Sequence, residues 1–203
     1  MDPKQPPPPM DGGLRDGEFA LTFDDGPDPL GTPKILAALR KHGVKAVFFQ
    51  VGIKSEAMAD LTRAVLRDGH TLGSHSWDHV DLTTIPLTEA IANIQRGHKA
   101  VEHAAGEGFH TPFFRFPYFN WNDDLVASIR AAGLTHFHAN VVTEDYATPD
   151  PDQLLKNALA MLEHERHGII LFHENQQQSA QIMDDFLTGL EGRGFHTAVF
   201  RAP

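Results

Sequence analysis

The sequence predicts an α/β fold on an all-parallel sheet of about seven strands, and three observations carry that expectation. Short apolar runs alternate along the chain with longer amphipathic segments, the βαβα rhythm of a parallel sheet. Several of the runs are rich in Val, Ile and Phe and poor in charge, as in strands covered on both faces. At 203 residues the chain has room for one domain of moderate size. An open doubly wound sheet and a closed barrel both satisfy this pattern. A barrel would be short against the usual ~250 residues, and one β/α unit fewer would account for the difference.

The elements follow in order. Strand-like runs are Phe19–Phe23, Ala46–Val51, Thr71–Ser74, Phe113–Phe116, Thr135–Val142, Gly168–Phe172 and Phe195–Phe200. Between them, Thr32 and Pro33 read as an N-cap and N1 pair, with Gly43 after Lys41–His42 as the stop. A second helix opens at Ser55 and ends near Asp68–Gly69. The third, Glu89 to Ala105, places Ile91, Ile94 and Val101 at helical spacing. Asn122 caps a fourth that stops at Gly133, and Asp150-Pro151-Asp152-Gln153 resembles a capping box for the fifth. The last runs from Ser179 to Arg193 and stops at Gly194. Ahead of them all, residues 1–17 are dominated by Pro and Gly without apolar periodicity, and read as a linker or extended arm. Residues 18–203 then form the folded domain.

Composition narrows the function classes. Lys and Arg number 17 against 27 Asp and Glu, a net charge of −10, which argues against gripping nucleic acid or an anionic membrane by bulk charge. With 0 cysteines, thiol catalysis, disulfide scaffolds and Cys-type zinc fingers are excluded. No apolar run approaches the ~18 residues of a membrane span, and no signal-peptide pattern is present. What stands out is 13 histidines, imidazole being the commonest protein metal ligand.

Five polar clusters end five of the expected strands, where an α/β sheet collects its function. Thr22-Phe23-Asp24-Asp25-Gly26-Pro27 turns the chain at the end of the first run, and its adjacent carboxylates diverge, so that one can face a metal and the other a substrate. His75-Ser76-Trp77-Asp78-His79 follows the third run; histidines at i and i+4 share a face of a helical turn and can converge on one ion. A zincin needs Glu directly after the first His, and Ser76 stands there, so base and third ligand must come from elsewhere. Asp24 and Asp25 can supply both, and two histidines with one carboxylate leave an open position for water. Arg115-Phe116-Pro117-Tyr118 ends the fourth run, where Arg115 can hold a buried Asp24 bidentately and ionised. Glu144-Asp145-Tyr146 closes the fifth. Leu171-Phe172-His173-Glu174 ends the sixth, and an Asp145 carboxylate on one His173 ring nitrogen would raise its pKa and let it act as an acid. Phosphate-loop and dinucleotide fingerprints and the G-x-S-x-G elbow are absent.

These five segments (TFDDGP, HSWDH, RFPY, the EDY segment and LFHE) resemble, in order, the five motifs of the NodB-homology polysaccharide deacetylases of carbohydrate esterase family 4, over Phe19 to about Phe200. The resemblance implies a distorted, short (β/α) barrel of about seven parallel strands. It implies Asp24 as catalytic base, tethered by Arg115, with Asp25, His75 and His79 as ligands of one divalent metal. Zinc suits that donor set, with cobalt, nickel or manganese as alternatives. Tyr118 would lend its backbone N–H to the oxyanion, His173 would be the general acid tuned by Asp145, and Tyr146 and Leu171 would line the substrate subsite with Tyr118. Two departures fall on that subsite: Phe119 stands where the family often has Gly, and Val142-Thr143-Glu144-Asp145-Tyr146 replaces Asp-x-x-Asp-Trp.

The implied reaction is removal of N-acetyl groups from an amino-sugar polymer (peptidoglycan, chitin oligomers or an exopolysaccharide). An O-acetyl esterase of the xylan type and a non-catalytic glycan-binding barrel are the alternatives. A monomer acting outside the cytoplasm is expected, without nucleic acid. Ten of the histidines take no role; His136 and His138, on one strand face, offer either core packing or a second metal site.

Overall fold

A computed structural model of the chain describes residues 13–200. Most of the expected arm lies outside the described residues, but its end is fastened to the domain. The Gly17 N–H donates to Arg166 O at 2.7 Å, and Asp16 pairs with the Arg166 guanidinium at 2.8 Å.

Among the described residues eight parallel strands form one sheet: β1 (Glu18–Gly26), β2 (Val47–Gln50), β3 (Thr71–Ser74), β4 (Phe113–Phe114), β5 (Thr135–His136), β6 (Val141–Val142), β7 (Gly168–His173) and β8 (His196–Ala198). The order is β5-β4-β3-β2-β1-β7-β6, with β8 paired to the start of β1. Helices α1 (Gly31–His42), α2 (Gly52–Ala57), α3 (Ala59–Arg67), α4 (Leu87–Ala105), α5 (Asp123–Ala131), α6 (Pro151–Glu165) and α7 (Gln177–Gly192) fill the connections. Central β1 alternates as a strand covered on both faces must. Phe19, Leu21 and Phe23 pack with α1, α6 and α7, while Ala20 packs with Val47, Phe49, Phe137, Ile169 and Leu171 inside the curl. Thr22 and Asp24 share the face of Ala20, so the strand delivers Asp24 to the mouth of that interior.

The single strand expected over Thr135–Val142 is two. β5 pairs with β4 at one end of the sheet's path, and β6 pairs with β7 at the other. Five residue steps separate His136 from Val141 and reach at most about 18 Å. Seven strands laid flat would hold their edges ~29 Å apart. The sheet therefore has to curl, and residues 137–140 bridge the seam where β5 and β6 do not pair. This is the distorted barrel that the motifs imply.

Helix starts also differ from expectation, with α4 and α7 beginning two residues early, at Leu87 and Gln177. Thr32 lies inside the first turn of α1, and the Asp28 carboxylate accepts from Leu30 N and Gly31 N in its place. The helix expected from Ser55 to Asp68 begins at Gly52 and breaks at Met58 into α2 and α3. Gly52 is required there by close approach: a Cβ on it would lie 2.7 Å from the Gly97 Cα of α4. Gly97 in turn has Ser76 backbone where its own Cβ would stand, at 2.2 Å. Asn122 and Asp150 cap α5 and α6 as expected.

Because α4 seats the loop after β3 through Gly97, Gly97→Ala is expected to force helix and loop apart. Overpacking of this kind costs about 1–3 kcal/mol, and each kcal/mol lowers Tm by about 2–4 °C in a domain of this size. Thermal unfolding checks it; an unchanged Tm would mean the contact carries no constraint.

Candidate active site

The C-terminal ends of β1, β3, β4, β6 and β7 surround a cavity of about 430 Å³ whose walls include Asp24, Asp25, His75, His79, Tyr118 and His173. The five motifs thus meet in one place. Parallel register sets the central pair, since Asp24 on β1 is the Cα partner of His173 on β7.

Asp24 is buried against Arg115. The guanidinium, itself 0% exposed, donates from Nη1 to Asp24 Oδ1 at 2.6 Å and to Thr22 Oγ1 at 2.9 Å. Its other nitrogens go to the Phe137 and His138 carbonyls at 3.2 and 3.1 Å, in the segment bridging the barrel seam. The bidentate grip expected of Arg115 is therefore a single bond, because the remaining donors close the fold. Burial pulls the Arg115 pKa down from its ordinary value, opposed by the charge and hydrogen bond of Asp24. Asp24 Oδ2 is left facing His75 Nε2 at 3.7 Å.

Asp25, His75 and His79 bring one donor atom each within 4.8 Å of one another. His75 Nδ1 lies 2.8 Å from Arg115 O, which places the proton on Nδ1 and frees Nε2 as a donor. His79 Nε2 stands 3.1 Å and His75 Nε2 3.6 Å from Asp25 Oδ1, a buried oxygen that otherwise has no hydrogen-bond partner among the described residues. Burial and His75 depress the His79 pKa more than Asp25 and Asp24 raise it, so the ring is neutral as a ligand must be. Burial would raise the Asp25 pKa, yet His75, His79, His173 and Lys54 override it and hold the carboxyl below its ordinary value. Two imidazole nitrogens and one carboxylate oxygen fit a divalent ion with open positions.

The histidines do not converge by sharing a helical face. Residues 75–79 are loop, turned by Ser76 at φ 65° and His79 at φ 62°. Asp25, Tyr118, Phe119 and Glu144 also have positive φ, so six of the seven non-glycine residues with positive φ among the described residues belong to this rim. Backbone strain of this kind concentrates at functional sites.

His173 meets Asp145 through Nδ1 at 2.6 Å. Burial alone would lower its pKa, but the Asp145 hydrogen bond and charge, with Asp24 and Asp25 behind them, raise it to about 9. Asp145 is fully buried and saturated: its carboxylate also accepts from the backbone of His173 and Tyr146 and from Ser179 Oγ at 2.5 Å.

Tyr118 and Tyr146 are the exposed aromatic walls, at 62% and 60% exposure, and Leu171 and Val142 line the cavity between the strands. In its left-handed turn (φ 57°) Tyr118 leaves its N–H without a hydrogen bond among the described residues. Phe119 packs its ring on His138 at 4.6 Å, and His136 and His138 pack edge-on against Trp121 at 4.5 and 5.6 Å. These two histidines therefore brace the wall. Sequence reasoning missed Ser179, Asn175 and Lys54. Asn175 Nδ2 donates to Asp25 Oδ2 at 3.3 Å, and Lys54 Nζ donates to Asp25 O at 2.7 Å. Only the position of Asn175 two residues past His173 offered a signal.

In the metal-free protein His173 is expected to titrate near pH 9, as its pKa is raised to about 9. In Asp145→Asn, burial is left weakly opposed and the titration falls by at least about two units. NMR of the ring protons reads this directly; an unshifted titration would remove Asp145 as the tuning group.

The chain matches the family model "Polysaccharide deacetylase" over residues 11–137. It is 34% identical to a chitooligosaccharide deacetylase of Azorhizobium caulinodans over 76% of this chain and 72% of that protein. It is 35% identical to the peptidoglycan-N-acetylglucosamine deacetylase PgdA of Listeria monocytogenes over 87% of this chain and 36% of that one. Among solved structures it resembles a peptidoglycan deacetylase of Bdellovibrio bacteriovorus with a TM-score of 0.87 and 36% identity, covering 95% of this chain and 54% of the other. The chain thus spans about half of the Bdellovibrio protein and about a third of the Listeria one. A family 4 carbohydrate esterase of Streptomyces lividans, in complex with acetate, matches with a TM-score of 0.82 and 27% identity over 92% of this chain and 94% of its own. With the family model spanning more than half of its length and the five motifs gathered around one cavity, this chain belongs to the polysaccharide deacetylases, the NodB-homology group of carbohydrate esterase family 4.

Proposed function

We propose that residues 18–203 are a metal-dependent hydrolase domain that removes N-acetyl groups from an amino-sugar polymer, releasing acetate and a free amine. The observation that carries this is the register of β1 and β7. It sets a carboxylate held by Arg115 beside an imidazole held by Asp145, with the Asp25-His75-His79 cluster at the same mouth. One relative is named a chitooligosaccharide deacetylase and another a peptidoglycan-N-acetylglucosamine deacetylase, which favours the N-acetyl amide over an O-acetyl ester.

Asp25, His75 and His79 would hold the ion, most suitably zinc. Held there, a divalent ion would supply Lewis acidity for the acetamide carbonyl and for activation of the attacking water. Asp24, held by Arg115 through Oδ1, takes the proton of the attacking water at Oδ2. The Tyr118 N–H donates to the oxygen on which negative charge develops. His173, protonated at neutral pH, gives its proton to the departing nitrogen as the C–N bond breaks, and Asp145 steadies the charge it held. Leu171 lines the place of the acetyl methyl, while Tyr118 and Tyr146 offer faces to the sugar ring.

All of these groups come from one chain, so a monomer suffices. A cell-wall or surface glycan as substrate would put the enzyme outside the cytoplasm. No helix among the described residues is long and apolar enough to cross a membrane.

Asp24→Ala should lower kcat at least ~100-fold, the usual contribution of a positioned base, and leave zinc binding in place. His79→Ala should lose zinc affinity by at least ~10-fold. Acetate release from chitin oligomers, peptidoglycan and acetylated xylan, with a chelator control, gives the rates, and calorimetry the affinities. Near-normal turnover in Asp24→Ala removes the base assignment. Faster release from xylan makes the protein an O-esterase, and glycan binding with no release from any polymer makes it a binding barrel.

A further inference from the structure

The residue after the acid His173 is a glutamate that no step above uses. Glu174 is completely buried, and no Lys or Arg hydrogen-bonds to its carboxyl among the described residues. Burial pushes its pKa up to about 8, against the opposing pull of Thr32, Gln50 and Lys54. At neutral pH it is therefore a carboxylic acid. A buried acid that contributes no charge needs another reason to be there.

Its surroundings give one. The Thr32 hydroxyl in α1 is hydrogen-bonded to Oε2 and also accepts from Asp28 N at 2.8 Å, in the turn that follows β1. The Gln50 carboxamide faces the carboxyl from the end of β2 and helps lower its pKa, although neither Gln50 Nε2 nor Glu174 Oε1 completes a hydrogen bond among the described residues. The carboxyl fills the space a side chain at Gly26 would take: a Cβ there would lie 1.6 Å from Oε1. Its own carbonyl does the same at Gly31, 1.8 Å from a would-be Cβ. Finally, the Glu174 N–H donates to Asp24 O at 2.8 Å. One side chain and its peptide thus touch the end of β1, the end of β2, the start of α1 and the end of β7.

We propose that Glu174 is a positioning residue: its buried carboxyl clamps the Asp24-Asp25-Gly26 turn against α1 and β2 and so holds base and metal ligand in register with His173. It touches neither substrate nor ion; it acts through the turn. The assignment of the turn's carboxylates rests on the function proposed above, but the clamp itself does not. Gln has the shape of the neutral acid and keeps a donor and an acceptor, so it should replace Glu174, whereas Ala leaves the turn without its floor. Gly26→Ala should fail for the complementary reason, with a methyl where the carboxyl lies.

The test uses the full chain loaded with zinc. Two readouts are taken on Glu174→Ala, Glu174→Gln and, in case Glu174→Ala folds poorly, Thr32→Val: acetate release from an N-acetylglucosamine oligomer and zinc affinity by calorimetry. The clamp predicts a kcat lower by at least ~30-fold in Glu174→Ala with KM within about threefold, since misplacing a reacting group by about an ångström can cost ~100-fold. It predicts zinc affinity weaker by about 10-fold or more, as for other groups that orient ligands. Glu174→Gln should restore both to within about threefold, and Thr32→Val should fall between. Wild-type kcat and zinc affinity in Glu174→Ala overturn the clamp, and so does Glu174→Gln as impaired as Glu174→Ala, which would mean that a charge is needed. If the wild type binds zinc but releases no acetate, the function proposed above fails while the clamp is still decided by the zinc affinities.

Discussion

One buried cation organises this protein. Arg115 sits beneath the cavity with no exposure, its guanidinium 4.2 Å from the centre of the Phe49 ring. Every hydrogen bond it makes ties down something the site requires. Nη1 holds Asp24 and Thr22, while Nε and Nη2 hold the carbonyls of the segment that closes the barrel seam. Its own carbonyl accepts from His75 Nδ1 and so selects the tautomer that can ligate. A guanidinium is the one side chain with enough donors in a fixed fork to do all of this while staying charged. Stripping either partner from a buried pair of this kind costs about 3–5 kcal/mol, so Arg115 and Asp24 require each other.

From that constraint follows a division of labour between neighbouring carboxylates. On β1, Asp24 continues the inward face of Ala20 and Thr22 and reaches Arg115. Asp25, turned to φ 66°, swings to the other side of the turn and meets the imidazoles. The two acids are consecutive in sequence yet have different electrostatic partners, a cationic guanidinium for one and a pair of imidazoles for the other. Across the cavity the pattern repeats with the sign reversed, since the buried Asp145, anchored by Ser179 and two backbone N–H groups, keeps His173 protonated. In the proposed mechanism this sets the base Asp24 beside a protonated His173, the pairing that general acid–base hydrolysis of an amide uses.

Much of this was legible in the residues, because parallel strands advertise themselves as apolar runs and the chemistry begins where each run ends. Asp24, Asp25, His75, His79, Arg115, Asp145 and His173 could all be picked out by that rule. The parts that could not be read depend on spatial neighbours. Phe137, Ala139 and Val141 continue the apolar alternation, so nothing local marks the point where Thr135–Val142 leaves one sheet edge for the other. Ser76 and His79 adopt left-handed conformations without being Gly or Asn, so the sequence suggests a helical turn where the chain makes a loop. Thr32 looks like a helix cap and is instead a partner of Glu174, a residue 142 positions away. Ser179 reads as a helix start, and only the fold reveals that its hydroxyl holds Asp145.

The central claim is that Asp24 and Asp25, adjacent in sequence, are separated by Arg115 into a free carboxylate and a ligand. Anomalous diffraction at the zinc edge from zinc-soaked crystals tests it most directly. The account predicts one strong peak bound by the Asp25 carboxylate and by Nε2 of His75 and His79, with Asp24 still on Arg115. A peak bound by Asp24, or one between His136 and His138 with the Asp25 cluster empty, would contradict it.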